Sequence, residues 1–87
     1  MKKLVKVEEI EGEGLIGLLG QKVILFCLNY FYAGTLEGVN ESFVKLSDAK
    51  IVYETGAFAD KAWKDAQSIG QDLYVMQDKI EAFCLGK

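Results

Sequence analysis

The sequence predicts a mostly β domain: a short N-terminal helix followed by a five-stranded, strongly bent antiparallel small barrel, with an insertion between the third and fourth strands. Three observations carry this. Residues 20–49 read as three consecutive strands joined by two tight turns. Two shorter apolar runs, at 71–76 and 79–85, read as two more strands. Gly34 and Gly38 lie inside the second strand, which rarely needs interior glycines unless it bends or another backbone comes close. A sharp bend at Gly34 lets one strand serve both halves of a small barrel.

Taken in order, residues 1–13 form an N-terminal arm, basic and β-branched at MKKLVKV and acidic and Gly-rich after it. The arm is expected to be frayed or to add a short strand. In GLIGLLGQ (14–21), apolar residues at 15, 16, 18 and 19 fit one or two helical turns laid on a core, with Gly20 as the stop. Lys22–Leu28 is nearly continuous apolar, as in a strand buried on both faces. Leu28-Asn29 is the expected turn. Tyr30–Val39 is the second strand, Asn40-Glu41-Ser42 the next turn, and Phe43–Tyr53 the third strand, with Val44 and Leu46 on its buried face.

Residues 54–70 break the strand pattern and are either a short helix over 57–66 or a long loop. They hold the one Trp, Trp63. Its expected role is to cover one end of the barrel or a neighbouring subunit. The alternative, a platform for stacking a base, needs a basic neighbourhood, and nearby in sequence only Lys61 and Lys64 supply one. Two short strands follow around Gln77-Asp78. In the second, Ile80, Ala82 and Cys84 are expected on one face, with Glu81, Phe83 and Leu85 on the other.

Eighty-seven residues make a single domain (1–87) with a thin core, yet 51% of them are apolar. Such an excess on a small domain suggests burial between subunits. There are ten Lys, no Arg, no His and thirteen acids, for a net charge of −3. Absent Arg argues against a broad phosphate-tracking surface. Cys27 and Cys84 are expected as buried free thiols, with pairing across the sheet as the alternative. Without His, an ordinary nucleophilic triad is not available and a metal site would need Cys, Asp and Glu alone; the two Cys are 57 positions apart in apolar runs, so no metal, no cofactor and no enzymatic activity are expected. EGEGLIGLLG lacks the Gly-Lys-Ser/Thr ending of a phosphate loop. No apolar run approaches the ~18–20 residues of a membrane span, and nothing resembles a signal peptide. A cytoplasmic protein with no membrane partner is expected.

Leu18, Gly20 and Val23, then Gly34-Thr35-Leu36, Gly38, and Leu46 with Asp48-Ala49 form one motif. Val75-Met76-Gln77-Asp78-Lys79-Ile80 stands in the place of a second. A short helix followed by five bent strands carrying these motifs resembles the Sm-like (Lsm) superfamily, over roughly residues 15–53 and 71–85. The resemblance implies an SH3-like small barrel that forms a homo-oligomeric ring by pairing strand four of one subunit with strand five of the next. Leu73, Tyr74 and Val75 would then meet Ile80, Ala82 and Cys84 of a neighbouring copy, and both strand edges would gain partners.

The family holds single-stranded RNA at the inner rim of the ring, with an Asp and a Met-Asn pair in the second turn and an Arg-Gly pair in the last. Here Asn40 stands at the Asp position. The turn is about one residue shorter, so either Val44 or Phe43 takes the Asn slot, depending on the direction of counting. Met76-Gln77 replaces Arg-Gly. The implied altered site is Asn40, Phe43, Met76 and Gln77, with Phe43 placed to stack on a base and Gln77 to read its edge. The alternative is that Phe43 and Gln77 line a pore or pack between subunits, in a ring that serves as a protein scaffold and binds no nucleic acid.

Overall fold

The computed structural model describes residues 13–87, so the expected N-terminal arm lies outside the described residues except at Glu13. The elements are a single helical turn α1 (Gly14–Gly17) and six strands, β1 (Lys22–Cys27), β2 (Phe31–Val39), β3 (Phe43–Glu54), β4 (Asp65–Ser68), β5 (Leu73–Met76) and β6 (Ile80–Leu85). A 3₁₀ turn at Gln77–Lys79 joins the last two. All pairings are antiparallel and the sheet is open, in the order β4-β3-β2-β1-β6 with β5 also on β3.

Four helical residues cannot hold themselves in water, because nucleation costs more than one turn of hydrogen bonds returns. α1 is therefore held by tertiary contact: Leu15 and Leu18 pack against the core. Ile16 and Leu19, expected on the core as well, point to solvent. The turn ends at Gly20, whose φ of +85° suits glycine, and Gly20 N donates to Leu36 O at 2.8 Å.

β1 is buried on both faces, as its apolar run predicts. Val23, Leu25 and Cys27 enter the main core with Leu36, Val44, Leu46, Ala49 and Val75. Each fully buried Val or Leu there contributes about 1.5–3 kcal/mol by leaving water. Ile24, also buried, faces the other side, where Ala33 and Val52 are buried too. The segment 55–64 crosses this second face. Phe26 meets Phe31 edge-on at 4.7 Å and Phe58 at 6.3 Å between ring centres, and Phe58 meets Trp63 at 6.3 Å. Lys87 fastens the crossing: its Nζ donates to Thr55 O at 3.2 Å and Ala57 O at 2.8 Å, and lies 4.5 Å from the centre of the Trp63 ring.

Residues 54–70 differ from both expectations. They form neither a helix over 57–66 nor a loop throughout, but end in β4, which pairs Lys50–Glu54 of β3. β3 is long enough for two partners on one edge: β5 takes Phe43–Leu46 and β4 takes the second half. Between them Ile69 N donates to Ala49 O at 2.9 Å.

The β2–β3 register shifts at Gly34. Ala33 pairs with Lys50 and Thr35 with Ser47, so Gly34 faces two residues, Asp48 and Ala49. This is a β-bulge, with Asp48 at φ +50°, a left-handed backbone that Asp tolerates better than most residues. A further bulge displaces β6. Phe26 pairs with Ala82 but Cys27 with Ile80, which leaves Glu81 unpaired. Ile80 therefore lies on the core face, with Phe83 and Leu85 opposite Leu25 and Val23. The sequence expectation placed Ile80 with Ala82 and Cys84; strict alternation fails there because one extra residue reverses the faces beyond it. Cys84, expected buried, is exposed, whereas Cys27 is buried and free as expected.

Candidate nucleic-acid interface

The second turn is built by Asn40. Its side-chain Oδ1 accepts from Ser42 N at 2.7 Å and Phe43 N at 2.8 Å, and its backbone N donates to Phe43 O at 3.0 Å. A short amide that bonds its own chain two and three residues on is a standard way to close a tight turn. Asn40 Oδ1 is thereby occupied, while Nδ2 makes no hydrogen bond to a described residue.

The β3–β5 ribbon brings the other candidate residues to this turn. Phe43 pairs with Met76, and Gln77 N donates to Ser42 O at 2.9 Å. Asn40, Phe43, Met76 and Gln77, which come from segments more than thirty residues apart, are thus at one end of the sheet. Register also sorts the ribbon into faces. Val44, Leu46, Leu73 and Val75 point to the core; Phe43, Lys45, Tyr74 and Met76 point outward. Met76 and Tyr74 are exposed, and Phe43 and Gln77 are half-buried.

Two further residues belong to this end by geometry. Tyr74 meets Phe43 edge-on at 5.3 Å. Lys45 lies beside it, 5.8 Å from the Tyr74 ring centre and 3.5 Å from Asp72 Oδ2. Tyr74 and Asp72 hold the Lys45 ammonium protonated to a pH higher than usual. Tyr74 appeared in the sequence only as an interface residue; its pairing with Lys45, and hence its place beside Phe43, requires the β3–β5 register.

The edges expected to join subunits lie as follows. β5 pairs only with β3, and β6 only with β1, among the described residues. Within β5, Val75 is 6% exposed and fills the chain's own core, so its side chain offers nothing outward. Leu73 and Ile80 also pack against that core. Tyr74, Ala82 and Cys84 are exposed. Phe83 (38% exposed) and Leu85 (55%) lie on the core face of β6 yet remain uncovered. A groove of about 460 Å³ runs between the first hairpin and β5, lined by Cys27, Leu28, Tyr32, Leu73, Tyr74 and Met76 among others. Burial raises the Cys27 thiol above its ordinary value, with Glu81 adding to it. Burial also raises Tyr32, helped by Cys27 and Tyr30.

On the second sheet face, Trp63 stands in different surroundings from those its neighbours in sequence suggest. Lys22, Lys50 and Lys87 join Lys61 and Lys64 around it. Its Nε1 is buried with no hydrogen-bond partner among the described residues.

No helix among the described residues is long and apolar enough to cross a membrane. No protein-family model, curated protein or solved structure matches this chain.

Proposed function

We propose that the chain is a non-catalytic, Sm-like subunit of a homo-oligomeric ring that binds single-stranded RNA at a rim made of Asn40, Phe43, Met76 and Gln77. The observation that carries this reading is the convergence of the Asn40 turn and the Met76-Gln77 step, joined by the Gln77 N to Ser42 O bond. Phe43 offers a half-buried ring beside it, and Asn40 Nδ2 and the Gln77 amide offer donors of the kind that read single-stranded bases. Ring formation is supported by the outer edges of β5 and β6, which have no strand partner among the described residues. The uncovered Phe83 and Leu85 supply apolar surface for a neighbour's β5 to cover.

The test pairs light scattering with anisotropy titrations of labelled U-rich and A-rich oligoribonucleotides at two salt concentrations. Binding that weakens with salt and is lost in Phe43→Ala or Gln77→Ala supports the rim. A monomer in solution overturns the ring. Absence of binding at ~100 μM overturns RNA recognition, since even sequence-independent binding is typically ~10⁻⁴–10⁻⁶ M.

A second reading, a ring that scaffolds proteins, is favoured by the outward, exposed Tyr74 and Met76 beside a rim with no Arg. It predicts the same ring with no RNA affinity.

A further inference from the structure

Lys22 and Lys50 alternate along their strands with the core residues Val23 and Ala49, so they project from the opposite face of the sheet. There they meet Lys61 and Lys64 from the crossing segment and Lys87 from beyond β6. Five of the seven lysines at positions 13–87 thus line one depression of about 360 Å³ around Trp63, although the whole chain carries a net charge of −3. Its acidic lining residue is Asp65, and Lys64 is paired with Glu54 at 3.4 Å. A narrower recess of about 40 Å³ shares Lys22, Lys50, Trp63 and Lys87 with it, and includes Asp48. Trp63 lines both.

We infer that this depression is an anion site for a ligand bearing adjacent phosphates. Clustered ammonium groups repel one another unless anions are present to neutralise them, and several around one basin suit a ligand with more than one charge. Lysines are point charges with rotatable donors; they hold phosphate without the bidentate geometry that arginine imposes. The volume is within the usual range for small-ligand pockets. The phosphates belong either to a free oligophosphate or to a nucleic-acid strand, and the site is independent of the Asn40–Gln77 rim.

Trp63 is the one Trp in the chain, so tryptophan emission, excited selectively over the tyrosines, reports this place alone. The experiment titrates the full chain with tripolyphosphate, and separately with a U-rich hexanucleotide, at low salt. A saturable change in emission is expected, with the affinity of Lys22→Ala/Lys50→Ala lowered at least ~10-fold while its circular dichroism and melting are unchanged. For the oligonucleotide, the log–log salt slope of that variant falls by about 1.4, two contacts at about 0.7 each. Phe43→Ala leaves the tripolyphosphate titration unaltered, which separates this site from the rim. Tighter binding of tripolyphosphate identifies a small oligophosphate ligand; tighter binding of the hexanucleotide identifies a strand. No emission change up to ~10 mM, the same change from sodium chloride at equal ionic strength, or unaltered affinity in the double variant overturns the site.

Discussion

Gly34 lies so close to Ser47 that a β-carbon built on it would stand 2.8 Å from the Ser47 carbonyl oxygen. The Ala49 Cα, at 3.2 Å, and the Leu46 Cβ, at 3.3 Å, close the space on other sides. These are backbone and core atoms, which cannot swing away. Gly34→Ala is therefore expected to destabilise by about 1–3 kcal/mol, the usual cost of overpacking. Gly38→Ala is the control. Its β-carbon would meet only Lys45 Cβ at 3.9 Å, an ordinary contact, so it should be neutral or stabilise by up to about 1 kcal/mol. Urea unfolding of both variants checks the contrast.

Asn40 is expected to hold its turn through the side-chain oxygen. Asn40→Asp keeps the acceptor for Ser42 N and Phe43 N and should stay within about 0.5 kcal/mol of the parent. Asn40→Ala leaves both amides without it and should lose about 1–2 kcal/mol. Equal losses in chemical denaturation would show that the two bonds do not hold the turn.

The uncovered core face of β6 gives the sharpest test of assembly. Phe83→Asp and Leu85→Asp place a charge on surface the single chain leaves exposed, so the subunit should fold and the proposed ring should dissociate. Ile80→Asp or Leu73→Asp would damage the chain's own core instead, and their effects on assembly would be ambiguous. Light scattering alongside circular dichroism reads both properties.

Stability should fall at alkaline pH. Burial raises the Cys27 thiol, with Glu81 assisting, and burial raises the Tyr32 phenol. Both groups are neutral when protonated, so the folded chain holds these protons more tightly than the unfolded chain does. The contribution is complete below the ordinary thiol value of about 8.5 and is lost as pH rises through the elevated folded values. Melting temperatures from pH ~7 to ~10.5 should decline, and Cys27→Ala should remove the earlier part of the decline. An unchanged profile in Cys27→Ala would locate the alkaline loss elsewhere.

The strands of residues 22–54 were legible because each signal was local: a continuous apolar run, alternation at Val44 and Leu46, and turn residues between the runs. β4 was not. Asp-Ala-Gln-Ser has no strand propensity and becomes a strand by pairing with Lys50–Glu54. The face of Ile80 was lost for a related reason, since the bulge at Glu81 depends on how β6 seats against β1. For the candidate sites, the turn at Asn40 was visible in sequence, but its meeting with Met76-Gln77 rests on the β3–β5 register. The lysines around Trp63 come from four separate stretches of chain, and no local window contains them.

β4 also acts as a guard. Lys50–Glu54, with Ile51, Val52 and Tyr53 at its centre, is a β-rich stretch whose outer edge would otherwise face water, the kind of edge that recruits other chains into fibrils. A chain whose residues 55–68 are replaced by a short linker keeps β1, β2 and β3 but loses this cover. Its expected failure is slow fibril growth, seeded at Ile51–Tyr53, in place of outright unfolding.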